Sequence, residues 1–198
     1  MYIVDLYDDQ GALAASKEVE VPYFGTLEIE PEDFFSGSLP NLGMVSVSIK
    51  PKNIFSFKDR HLGLIRPQFY ALYHDVDMNS FVLIHPQTSE SDTPAASQKW
   101  KSTLYVSCDD LQYLDIFQLN PLSKPFESHL ALVDQNNSIL SESRYMMNAR
   151  SCRKVKVNVQ GFLQGACVHL ESNGLAASNA KPLVFNHFKN GMFTGSHS

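Results

Sequence analysis

Charge is in short supply in this sequence. Only 19% of its 198 residues are Asp, Glu, Lys or Arg, against about 25% in ordinary soluble domains. The balance is acidic, with a net charge of -5 and a pI near 5.8. That argues against a domain whose whole surface grips nucleic acid or anionic lipid. Long apolar runs are missing too, since none approaches the ~20 residues that a helix needs to cross a bilayer. The cysteines number three, Cys108, Cys152 and Cys167. An odd, widely spaced set is no disulfide framework. The opening residues lack the basic and apolar regions of a secretory leader. A reducing, intracellular, cytoplasmic setting is therefore the expectation, with no transmembrane segment.

Signatures of common chemistries are absent as well. The chain has no G-x-S-x-G elbow, no G-x-x-x-x-G-K-[ST] or G-x-G-x-x-G phosphate loop, and no C-x-x-C pair, so nothing local to the sequence announces a nucleophile, a nucleotide or zinc. Acidic neighbours occur at Asp8–Asp9, Glu32–Asp33 and Asp109–Asp110. On a strand such neighbours point to opposite faces, so none is a ready acid–base pair. His74, Asp75 and Asp77, with His85 nearby, have the residue types of a divalent-cation site, but Asp and Asn are also what a tight turn selects. Cys167 and His169 share one face of a strand at ~6–7 Å, from a rise of ~3.3 Å per residue, beyond direct hydrogen-bond reach. No catalytic residue, no metal and no cofactor is assigned. An enzyme whose site is dispersed through the sequence remains an alternative.

What is present points to strands. Apolar residues make up 43% of the chain, with 13 Phe and 8 Tyr, enough for a sizeable core rich in β-formers. Period-two alternation recurs. "YIVDLYDDQGALAAS" predicts a hairpin about Asp8 to Gly11, and "KEVEV" and "TLEIE" predict half-buried strands. "MVSVSIK" sets Val45, Val47 and Ile49 on one side. Two strands, 68–74 and 80–85, flank a turn; others follow at 102–107 and 112–119. "HLALVDQNNSIL" is a hairpin, and "SESRYMMNARSC" a short helix or a loop crossing. "RKVKVNV" turns Val155, Val157 and Val159 inward and Lys154, Lys156 and Asn158 outward. "PLVFNHF" is the last strand. The expectation is a single all-β domain over 1–190, jelly-roll-like or another antiparallel β-sandwich with few short helices. Residues 86–98, Ser/Thr-rich and Pro-bounded, are expected as an exposed loop, and 191–198 as a flexible tail.

The sparse charge is segregated. Residues 1–45 carry nine acids and one base, Lys17, whereas residues 144–156 carry Arg144, Arg150, Arg153, Lys154 and Lys156 and no acid. Arg144, Tyr145, Arg150, Arg153, Lys154 and Lys156 form the candidate anion or nucleic-acid site, because cations beside an aromatic ring suit single-stranded RNA. The same stretch also reads as a solvated strand face charged against unwanted pairing. Charge segregation allows a further possibility, a homo-oligomer in which the acidic N-terminal third meets the basic 144–156 face of another copy.

Residues 116–160 resemble the central region of the 30K superfamily of plant-virus movement proteins. Leu132, Val133 and Asp134 match the family's apolar strand ending in a short acidic element. Tyr145, Ala149, Arg153, Lys154, Val155 and Lys156 match the basic-aromatic strand that follows. The chain departs from the family in having no Asp after Asp134. The resemblance implies a jelly-roll-like domain that binds single-stranded nucleic acid, associates with itself and acts in passage of a viral genome between host cells. A self-associating viral structural protein, matrix or coat-like, suits the size and composition equally.

Overall fold

The computed structural model describes residues 1–22, 25–37, 39–49, 70–75, 80–84, 100–105, 110–159, 167–173 and 180–196. The expected loop at 86–98 and the turn holding Asp77 lie outside them, as do the side chains of His74 and Cys167. Alternating sequences become strands here because one face finds an apolar partner. Thirteen strands form among the described residues: β1 (Tyr2–Asp8), β2 (Leu13–Val19), β3 (Gly43–Ile49), β4 (Ala71–Asp75), β5 (Ser80–Ile84), β6 (Trp100–Tyr105), β7 (Leu111–Leu119), β8 (Phe126–Val133), β9 (Ile139–Met147), β10 (Cys152–Asn158), β11 (Cys167–Ser172), β12 (Leu183–Phe188) and β13 (Phe193–Ser196). One short helix, α1 (Pro31–Phe35), accompanies them. Every pairing among the described residues is antiparallel. Among the described residues no helix is long and apolar enough to cross a membrane.

Two four-stranded sheets, ordered β10-β7-β12-β13 and β6-β11-β8-β9, pack face to face as a β-sandwich. The core between them holds Leu114 and Ile116 of β7, Leu130 and Leu132 of β8, Val157 of β10, Val168 and Leu170 of β11, and Val184 of β12. Leu114, Leu170 and Val184 are completely buried, each such side chain contributing about 1.5–3 kcal/mol relative to an exposed one. A third sheet, β2-β1-β3, closes its own small core of Val4, Leu6 and Phe35 under Ile29, Phe34 and Leu39. The β4–β5 hairpin lies on the outer face of the β7 sheet, where Ile84 packs with Phe185 and Phe193 and Tyr73 meets Phe185 edge-on at 4.9 Å. Burial raises the pKa of the Tyr73 hydroxyl.

The structure corrects several local expectations. "TLEIE" forms no ladder; it leads into α1 and lends Ile29 to the small core. Residues 141–147, expected as helix or crossing, continue β9 along the whole of β8, because Tyr145 and Met147 both find burial on one face. Val45 is 50% exposed on the edge strand β3. The expected tail instead forms β13, turned back onto β12 through Gly191 at φ 87°. Burial of Phe193 against Phe185 gives that strand its reason to order.

Candidate functional site

Strand alternation divides the basic stretch. On β10, Val155 and Val157 face the sandwich core, so Lys154 and Lys156 stand on the outer face of the β7 sheet. Arg153 has the opposite parity, and its guanidinium stacks 4.3 Å from the centre of the Tyr145 ring. Tyr145 is half-buried beside the core, and burial raises the pKa of its hydroxyl. Arg144 belongs to the exposed side of β9, in the other sheet, where two of its nitrogens donate to Glu142 Oε1 at 3.0 and 2.7 Å. His129 Nε2 meets the same oxygen at 2.8 Å. Arg150 occupies a left-handed turn position, φ 56°, and donates to the Pro121 carbonyl. Of the six residues, the fold therefore brings together Lys154 with Lys156, and Arg153 with Tyr145. Arg144 and Arg150 serve local contacts elsewhere.

The lysine face carries more than lysines. β7 lies between β10 and β12, with Tyr113 opposite Asn158 and His187, Asp115 opposite Lys156 and Phe185, and Phe117 opposite Lys154 and Leu183. Lys156 Nζ stands 3.6 Å from the centre of the Tyr113 ring. His187 stacks on Tyr113 at 4.3 Å with 16° between planes, and Phe193 continues the stack at 6.2 Å and 24°. One side chain from each of four strands thus builds a ladder across the sheet: Lys156, Tyr113, His187, Phe193. Beside it, Asp115 Oδ2 accepts from Lys154 Nζ at 2.8 Å and lies 3.1 Å from His187 Nε2. Asp115 is buried, and its Oδ1 has no hydrogen-bond partner among the described residues. Burial pulls the His187 pKa below its ordinary value and the Asp115 carboxylate pushes it back up in part. The neutral imidazole donates from Nε2 to Asp115, which fixes the ring for stacking. Asp115 and His187 thus form a carboxylate–imidazole pair, directed at a ring stack rather than at a hydroxyl or thiol.

Lys154 is consequently less free than an outward alternation implies. It neutralises a buried carboxylate, and its removal would leave that charge with His187 alone. Lys156 is exposed and is held by a cation–π contact worth about 0.5–1 kcal/mol at such a site. Tyr113, Asp115, Phe117 and His187 were not singled out from sequence. Their signal was the alternation within "LQYLDIFQL", which puts Tyr113, Asp115 and Phe117 on one face.

Against known proteins, the chain matches no family model, no curated protein and no solved structure.

Among the described residues no group of three or more His, Cys, Asp and Glu side chains stands together as metal ligands. The acidic N-terminal region reaches the basic stretch within its own chain. The β1–β2 turn abuts the corner before β10, where Asn148 Nδ2 donates to the Gln10 carbonyl at 3.2 Å. A polar cleft of about 370 Å³ lies there, lined by residues including Asp9, Gln10, Asn148, Cys152, Arg153 and Lys154. Burial, aided by Asp9 and Asp8, pushes the free Cys152 thiol up to about 11, so it is not a nucleophile near neutral pH.

Proposed function

We propose that the outer face of the β10-β7-β12-β13 sheet binds single-stranded nucleic acid, RNA in the movement-type role that the 116–160 resemblance implies. The observation that carries this reading is the cross-strand ladder of Lys156, Tyr113, His187 and Phe193 beside Lys154. Cations meet phosphates and an exposed aromatic ring face accepts a base without regard to sequence; here that ring is Tyr113, backed by His187 and the buried Phe193. Lys156 leaves the Tyr113 ring to reach a phosphate, and the ring face it uncovers takes a base in its place. Such a footprint is local, which suits a chain whose net charge is -5.

The test is fluorescence anisotropy with a labelled single-stranded RNA across a salt series. Lys156→Ala should reduce the salt slope by ~0.7, the loss of one single-strand phosphate contact. Tyr113→Ala should weaken binding by about 1–3 kcal/mol, the worth of one base–aromatic stack. Lys124→Ala, on the exposed β7–β8 loop and outside the ladder, should change neither quantity beyond its small effect on net charge. Equal effects of all three substitutions, or no binding at low salt, would refute the assignment.

A further inference from the structure

We propose that two copies of this chain associate by antiparallel pairing of their β9 strands, edge to edge, about a two-fold axis at Ser143. β9 ends the sheet order β6-β11-β8-β9 and, among the described residues, pairs with β8 alone. A long edge strand offers unpaired N–H and C=O groups to another strand, and proteins commonly blunt such edges with Pro, Lys or bulges. The sequence "ILSESRYMM" has no Pro and no Lys. Its one irregularity lies at the start of the strand, opposite Leu132 and Val133.

Pairing parity selects the partner. Residues directly opposite in an antiparallel ladder put their side chains on the same face, so in a symmetric pair the two residue numbers must sum to an even value. Centring on Ser143 sets Glu142 against Arg144 of the second copy, a pair that occurs twice, and brings the bulged Leu140 to the end of the stretch beside Met146. Leu140 and Met146 are 37% and 62% exposed in the single chain. The four charges then alternate in sign around the axis. Glu142 receives Arg144 and His129 of its own chain through Oε1 alone, which leaves Oε2 for the guanidinium of the second copy. These bonds already hold the Glu142 carboxyl below its usual range, with Arg144 the larger cause and His129 the smaller. On the other face, Ser141 and Ser143 border an apolar slot lined by Ile116, Leu130, Val155 and Val157. Tyr145 of the second copy falls opposite Ser141 on that face. The occupant is a like strand, which differs from a meeting of acidic and basic ends.

Sedimentation equilibrium across a concentration series tests the pairing. The wild-type chain should show twice its 22.2 kDa mass. Arg144→Glu, which puts like charges opposite one another twice, should raise the dimer dissociation constant about tenfold or more. The double exchange Glu142→Arg with Arg144→Glu recreates the opposite-charge pairs and should restore the dimer. A wild-type chain that stays monomeric at ~100 μM, or a dimer indifferent to Arg144→Glu, overturns the proposal. So does a double exchange that keeps the wild-type circular dichroism without recovering the dimer. RNA binding plays no part in this readout.

Discussion

Replacing Asn120 by Leu should cost about 1.5–4 kcal/mol, because that side chain ties the β7–β8 loop to the corner before β10. Asn120 is completely buried. Its Nδ2 donates to the Lys124 carbonyl at 2.8 Å and the Asn148 carbonyl at 2.6 Å, and its Oδ1 accepts from the Leu122 N–H at 3.1 Å. Leucine has nearly the same size, so the cavity term is small and the polar accounting dominates. The Asn148 carbonyl keeps the Ser151 hydroxyl at 2.7 Å, and Lys124 is exposed, so its carbonyl can turn to water. The Leu122 N–H has neither recourse beside a buried side chain. One orphaned donor costs about 1–3 kcal/mol, and two replaceable bonds add roughly 0.5–1 kcal/mol between them. With a urea m-value near ~2 kcal/mol/M, the midpoint should fall by about 1–2 M at unchanged slope. Urea titration followed by fluorescence reads this directly. A fall below ~0.5 M with the slope intact would show that the corner is held by backbone bonds such as Arg150 N–H to the Leu122 carbonyl at 2.9 Å, and would refute the reasoning.

Two further outcomes follow from the geometry. Gly11 has φ 91° and its missing Cβ would run into the Ala149 carbonyl, so Gly11→Ala should destabilise by about 1–3 kcal/mol and lower the thermal midpoint. An unchanged midpoint would mean that the β1–β2 turn does not rest on that corner. The pKa of His187 lies below its ordinary 6.5, mainly through burial. The unfolded imidazole therefore binds a proton more readily than the folded one, and the folded state loses stability as pH falls through 6.5 toward the lower folded value. Melting curves from pH 7.5 to 5.5 should show a steeper loss for the wild type than for His187→Gln, and parallel curves would place the titration elsewhere.

The site was only half legible. Lys154 and Lys156 could be set outward from "RKVKVNV" because Val155 and Val157 left them one face to occupy, and β10 fulfils that pattern. Arg153 was grouped with these lysines, but β10 turns it to the opposite face, onto the Tyr145 ring. Arg144 was grouped with them by nearness in sequence, yet β9 and β10 belong to different sheets. Tyr113 and His187 lie 74 positions apart and become neighbours only through the β7–β12 register.

By itself the sequence determined the all-β class, the N-terminal hairpin, the Val133–Asp134 hairpin and the inward face of β10. Each follows from period-two alternation broken by turn formers, which a strand expresses wherever one of its faces is buried. Strand order, the folding of 193–196 onto β12 and the extension of β9 through Met147 were decided by the tertiary structure. These depend on which distant face supplies the burial: Phe185 for Phe193, and the sandwich interior for Tyr145. The Asp115 contacts belong to the same class. Three strands had to be set side by side before one carboxylate could meet Lys154 and His187 together, and no local pattern encodes that adjacency.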